Sequence, residues 1–249
     1  WRWEKSWPEF IEDSRPAKTK TAQLKERVAH EVKSSGLAET LTPKFPLGCR
    51  RILLSDDYYP ALQRDNVALE TAPIERLDSN SLVTDDGVHH YVDCLVAATG
   101  FHSHDFLPGV EVTGLGNADL HKEWENKGGP EAYLGITVSG FPNLFFLYGP
   151  NTNLGHSSII FMIECQVHYI LKVIGLLNKK GGKNIEITHN SMEEFNQAIQ
   201  KKLKRTAWAG SCNSWYKSAR GKIINNWSTY TVGYWLRTRR PIADHYLVK

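Results

Sequence analysis

Apolar residues recur at every fourth position at Leu24, Val28 and Val32, which predicts a helix over residues 17–34 with Gly36 as its stop. Pro46 and Gly48 then mark a turn, Ile52, Leu53 and Leu54 pull the chain toward a core, and a short helix is expected around Asp56–Leu62. From there the period drops to two. "NVALE" (66–70) alternates, and strands are predicted near 73–77, 81–84 and 88–97, joined by turns at Ser79-Asn80 and Asp86-Gly87. The third strand ends in the unbroken apolar run "CLVAATG", the pattern of a strand buried on both faces. Two more strands, "YLGITV" (133–138) and "LFFLYG" (144–149), flank the turn "SGFPN". A helix over 156–178, apolar on most sides, a strand at 184–188 and a helix over 191–205 follow. In the last helix Ser191 and Glu194 form a capping box, Phe195, Ile199 and Leu203 form the apolar line, and "KKLKR" ends it where the dipole favours cations. The mixture of elements is α/β, with no internal repeat.

At 249 residues the chain holds one large domain or two small ones. Its 41% apolar and 23% charged content is that of a soluble globular protein. A net charge of +3 is too small to imply nucleic acid, and the basic clusters "KKLKR" and "LRTRR" lack the interleaved aromatics of a stacking platform. Cys49, Cys94, Cys165 and Cys212 are scattered with no CxxC pair, so neither a zinc site nor a disulfide framework is expected and a reducing, cytoplasmic setting fits. No charged-then-apolar leader opens the sequence. Glu164, Gln166, His168 and Lys172 interrupt the most apolar stretch, which therefore reads as a buried helix rather than a membrane span. The sequon at Asn226-Trp227-Ser228 is read as chance.

Two stretches carry candidate chemistry. In "FPLGCRRILLSDDYYPAL" the adjacent Arg50 and Arg51 repel each other unless an anion arrives; the alternative is a solvated pair bridged to Asp56 and Asp57. In "FFLYGPNTNLGHSSIIFMIE" an apolar strand ends at Gly149-Pro150, and a polar loop leads through Gly155 into a long helix. The unpaired N–H groups and positive dipole end of that helix can hold an anion, although Asn and Ser there serve equally as plain caps. "GLGNAD" supplies only a GxG, more in keeping with a loop than with a dinucleotide turn, and no GxSxG elbow supports acyl transfer. His89 and His90 lack further ligands at metal-binding spacing, His102 and His104 lack an assignable carboxylate, and His156 reads as a helix-start residue.

Taken together, "LTPKFPLGCRR", "LVAATGF", "YLGITVSGFPNLFFLYGPN" and "SWYK" resemble, in the same order, the flavin-containing monooxygenases of the Baeyer–Villiger type. The glycine-rich turns and the His/Trp fingerprint of that family are absent, so the resemblance covers about half of the family pattern. It implies part of a fold with two Rossmann-like dinucleotide-binding domains: residues 1–100 within the NADPH domain and 101–249 within the FAD domain. It implies FAD and NADPH as cofactors, and a small carbonyl compound and O2 as substrates, with no nucleic acid or membrane partner. Arg50 would face the 2′-phosphate of NADPH, and Arg51 would stand near the flavin, tempering the charge of a C4a-peroxyflavin and of the oxyanion formed on a ketone. Ala98, Thr99 and Gly100 would pass the cofactor by their backbone. Asn151, Thr152, Asn153, Leu154 and Ile159 would lie beneath the flavin ring, and Trp215 would close the nicotinamide end. The alternatives are an N- or S-oxygenating relative, or a truncated piece that does no catalysis, since pyrophosphate binding without the glycine-rich turns is badly weakened.

Overall fold

The computed structural model describes residues 4–100, 105–210 and 214–249; His102 and His104 lie outside them. After a 3-10 turn over Glu4–Phe10 comes α1 (Arg15–Glu31), close to the predicted span. Gly36 does not end it. The side chain of Ser34 accepts from the Leu37 N–H and starts a second helix, α2 (Ser35–Leu41), in which Gly36 sits. The short helix α3 (Tyr58–Leu62) is as expected. A three-stranded antiparallel meander follows: β1 (Ile74–Leu77), β2 (Ser81–Thr84) and β3 (His89–Tyr91), with both predicted turns in place.

The strand pattern overreaches in four places. "NVALE" and residues 92–97 form no strand, and Val92, Leu95 and Val96 are exposed rather than doubly buried, Val96 at 81%. A strand exists only with hydrogen-bonded neighbours, and the described residues supply none to this segment. Residues 133–138 and 144–149 likewise form no ladder, with one isolated bridge between Tyr133 and Thr137. Residues 133–138 are nonetheless buried throughout and feed the core. Leu53 and Leu54 are also exposed rather than drawn into a core. No parallel sheet forms among the described residues; both sheets are antiparallel.

The rest of the chain is α4 (Leu120–Asn126), α5 (Ile159–Lys180), β4 (Ile185–Ile187), α6 (His189–Leu203), α7 (Thr231–Thr238) and β5 (Tyr246–Val248), with β4 and β5 paired. The cap of α6 is Thr188, not Ser191: the Thr188 hydroxyl accepts from the Ser191 N–H at 3.3 Å, so the helix starts two residues before the expected box. Phe195, Ile199 and Leu203 are buried as predicted. By length and composition α5 is apolar enough to cross a membrane. One stripe of it, Met162, Cys165, Tyr169 and Val173, packs into the core beside α7 and β4, while Ile160 and Leu171 lie exposed.

Two compact units are present, one gathering Trp1–Lys25, Pro43–Leu53 and Ser103–Lys249, the other Glu26–Thr42 and Leu54–His102. The large core, with Trp208, Tyr234, Ile136 and Ile224 fully buried, belongs to the first. Cys49 is a buried disulfide cysteine, whereas Cys94 and Cys165 are free; this corrects the expectation of no disulfide, for which scattered spacing gave no cue.

Candidate functional site

The loop ahead of α5 is built by splicing. Gly149 and Pro150 are buried, and the backbone at Tyr148 (φ 58°) and Asn151 (φ 58°) turns left-handed to bring the loop against residues 223–227. There Asn151 donates from its N–H to the Ile224 carbonyl (2.8 Å) and from Nδ2 to the carbonyls of Ile223 (2.8 Å) and Asn226 (3.1 Å). The Thr152 hydroxyl donates to the Gly149 carbonyl at 2.7 Å. Asn153 donates from its N–H to Asn225 and accepts from the Trp227 N–H, both at 2.8 Å. Helix α5 starts at Ile159, three residues later than predicted. Ser158 is its cap, accepting from the Phe161 N–H at 3.3 Å. Ser158→Ala is expected to cost about 1 kcal/mol in chemical denaturation, a loss that Ser158→Asp recovers.

The arginine pair is divided in its surroundings. Arg50 is exposed and stacks its guanidinium over Phe45, 5.0 Å from the ring centroid. Arg51 is also exposed, yet its charge reaches two phenols, Tyr148 and Tyr216. Burial pushes both phenols up, Tyr216 to about 12, and the Arg51 cation pulls each back down. The Tyr148 hydroxyl donates to Asn153 Oδ1 at 2.8 Å, which ties this phenol to the loop ahead of α5. Trp215 is half-buried, its ring 4.4 Å from that of Tyr216, and its carbonyl accepts from Asn225 Nδ2 at 2.7 Å. Arg51, Asn151, Thr152, Asn153, Leu154, Ile159 and Trp215 thus all belong to the first unit. Ala98, Thr99 and Gly100 belong to the second, where they run exposed, with Gly100 at φ 90°.

Tyr148, Tyr216, Asn225 and Asn226 were missed from the sequence. The available signal was "IINNWS": two amides inside an apolar run must find partners once buried. Asn226, taken for part of a chance sequon, is fully buried and accepts from Asn153 Nδ2 at 2.6 Å. His156 is more than a helix-start residue. It is buried against Trp7 and Phe10, with neither ring nitrogen hydrogen-bonded, and Glu4 Oε2 lies 3.9 Å away. Burial lowers the pKa of its imidazole from the ordinary 6.5, opposed by the Glu4 carboxylate. Below about pH 6.5 the unfolded chain therefore binds a proton that the folded chain refuses, so stability is full above that pH and is lost on acidification. His156→Phe is expected to flatten this part of the pH profile in denaturant titrations between pH 7 and 5. His89 and His90 bond to Ser81 and Thr84, and no group of His, Cys, Asp and Glu among the described residues is placed to hold a metal. A cavity of about 190 Å³ lined by Glu164, Cys165, His168 and Arg239 opens between α5 and α7, and none of the expected site residues lines it.

No family model matches the chain. Individual proteins do. The FAD-binding monooxygenase ktnD of Aspergillus niger is 41% identical over 225 residues, covering 88% of this chain and 36% of that protein. A Baeyer–Villiger monooxygenase of Pseudomonas aeruginosa is 38% identical over 218 residues, covering 87% and 41%. One from Streptomyces coelicolor is 37% identical, covering 90% and 43%. The chain belongs to the Baeyer–Villiger monooxygenase family. It spans about two fifths of the length of these curated relatives. Among solved structures, an oxidised steroid monooxygenase bound to NADP superposes with a TM-score of 0.83 at 28% identity, covering 96% of this chain and 46% of that one. The open form of cyclohexanone monooxygenase gives 0.78 at 26% identity, covering 96% and 44%.

The flavin such relatives use can be tested against the polar atoms of this site. Asn151 Oδ1 and Asn226 Nδ2 are buried with no partner, an acceptor left over on the loop and a donor on the 223–227 segment it packs against. Left-over buried polar atoms call for a ligand or an ordered water, and a donor with an acceptor suits the amide-rich edge of a flavin ring. The ring end therefore fits. The pyrophosphate has no counterpart, since the chain contains no glycine-rich phosphate turn: the backbone N–H of Leu115, in the partial GxG, is already spent on the Gly140 carbonyl at 2.8 Å.

Proposed function

We propose that this chain forms part of an FAD- and NADPH-dependent monooxygenase that inserts oxygen from O2 beside the carbonyl of a small ketone or aldehyde. The observation that carries the reading is the convergence of the Arg51 cation, the Tyr148 and Tyr216 phenols and the loop ahead of α5. The flavin would supply the oxygen-activating chemistry. Asn151 and Asn226 would present their free acceptor and donor to its ring, Ile159 would pack at the start of α5, and the dipole of α5 would favour negative charge there. Arg51 would place a permanent cation beside the carbonyl oxygen as negative charge develops on it. Arg50, outward-facing on the same turn, would take the 2′-phosphate of NADPH. Ala98, Thr99 and Gly100 would pass the cofactor by their backbone, and Trp215 would shield the nicotinamide. In this reading residues 1–100 serve the NADPH domain and 101–249 the FAD domain.

The test is a chimera in which this chain replaces its matching segment in the Pseudomonas aeruginosa relative, assayed with NADPH, a cyclic ketone and a thioether. Ester or lactone product is the expected result. Sulfoxide alone would move the reading to heteroatom oxygenation. A folded, yellow chimera yielding neither product would refute it.

A further inference from the structure

Phe10 stands between the two stretches that carry the candidate chemistry. A Cβ built on Gly48, in the turn before the arginine pair, would lie 2.6 Å from Phe10 Cδ1 and 2.7 Å from Cε1. A Cβ on Gly155, in the loop ahead of α5, would lie 2.7 Å from the same Cε1 and 3.0 Å from Cζ. One ring edge therefore touches both backbones. The ring has no room to retreat: it is buried, with the rings of Trp7, Trp208 and His156 around it at centroid distances of 6.5, 5.6 and 6.0 Å. Its backbone is fastened next door, where Ile11 bridges Thr206 and the Glu12 N–H donates to the Arg205 carbonyl at 2.9 Å. The two glycines differ in what requires them. Gly48 has φ 80°, which strains any side chain whatever the space. Gly155 has no such conformation, so the rings of Phe10 and Trp208, the latter 3.1 Å from the built Cβ, are what keep it bare. All these residues lie in the first unit.

We propose that Phe10 is a positioning residue, its ring the wedge that sets the turn carrying Arg50 and Arg51 against the loop ahead of α5. Close-packed interiors hold few voids and transmit displacement, so a change of ring size at position 10 is felt at both backbones. Arg50 and Arg51 ride on one turn, and loosening it disturbs the roles of both together, whereas an alanine at either position removes one. The consequence for turnover rests on the function proposed above; the wedge does not.

Amide hydrogen exchange in the full chain tests this with neither flavin nor turnover. The Cys49 N–H donates to the Pro46 carbonyl at 3.1 Å and reports opening of the turn; the Ile199 amide in α6 reports global opening. No reductant is added, so the disulfide at Cys49 restrains every variant alike. Phe10→Leu is expected to speed exchange at Cys49 by about tenfold relative to Ile199. Gly155→Ala, pressing on the ring from the loop side, is expected to speed Cys49 as well, and to add little in the Phe10→Leu background. Equal acceleration at Cys49 and Ile199 would mean ordinary loss of core packing and overturns the proposal, as does a Cys49 amide that Gly155→Ala leaves unmoved. If either variant does not fold, the other decides on the same two amides. In the Pseudomonas aeruginosa chimera, Phe10→Leu is expected to raise the KM for NADPH and lower kcat together, with flavin content unchanged. Faster exchange at Cys49 with both constants unmoved would keep the wedge and remove the catalytic role given to the turn.

Discussion

Replacing Arg51 with alanine is expected to lower the kcat for ketone oxygenation by about 10²–10³-fold in the Pseudomonas aeruginosa chimera, while leaving its flavin content and thermal unfolding unchanged. The separation of effects follows from the surroundings of Arg51. The side chain is exposed, so its removal opens no core cavity. Its cation reaches the Tyr148 and Tyr216 phenols, so removing it changes the electrostatics of the site and leaves the packing in place. Arg51→Lys keeps the charge but loses the planar fork, and an intermediate rate is expected. Arg50→Ala should instead raise the KM for NADPH with little change in kcat, because Arg50 stands over Phe45 and is outside the pair of phenols. Stopped-flow measurement of flavin reduction and of product formation checks both. Equal losses in the two steps for Arg51→Ala would contradict a role confined to the carbonyl.

What could be read from the sequence follows a physical divide. Helices make their hydrogen bonds within themselves, so α1, α5 and α6 were legible to within a few residues from the spacing of Leu24, Val28, Val32, Phe195, Ile199 and Leu203. Strands depend on neighbours, and an apolar run says nothing about whether a neighbour is present. "CLVAATG" carries the composition of a central strand and lies exposed, and "YLGITV" is buried without forming a ladder. The site divides in the same way. Arg50, Arg51 and the loop 151–154 stood out because unusual residues lie side by side in the sequence. Asn226 did not, because its meaning arises from contacts with Asn151 and Asn153, some seventy residues away, and Tyr148 and Tyr216 did not, because nothing in their local sequence shows the charge and burial that the fold brings to them. His156 was visible but undervalued, since only the fold shows Trp7 and Phe10 closing over it.

The loop that carries these contacts tolerates no added atom at its base, and the largest loss of stability is expected there. A Cβ on Gly149 would lie 2.3 Å from the Gly135 carbonyl oxygen and 2.9 Å from Phe146 Cβ. On Gly135, at φ 69°, it would lie 2.1 Å from Thr152 Cγ2 and 2.7 Å from the Pro150 carbonyl. The obstacles to Gly149 are largely backbone, which cannot swing aside as the end of a long side chain can. Forced overpacking costs about 1–3 kcal/mol, and a left-handed conformation imposed on a residue with a Cβ adds about 1–2 kcal/mol at Gly135. Gly149→Ala and Gly135→Ala are each expected to lower unfolding free energy by roughly 3 kcal/mol, read as a shift of the denaturant midpoint at constant slope. The matching controls lie in the helices. A Cβ on Gly36 in α2 or Gly175 in α5 meets nothing within 4 Å, and alanine there should stabilise by about 0.5–1 kcal/mol. Opposite signs for the two pairs would tie the loss to the close approach of backbones beneath Thr152. A loss of similar size at all four glycines would mean that chain flexibility, rather than contact, sets the cost, and the tight base assigned to the loop would have to be abandoned.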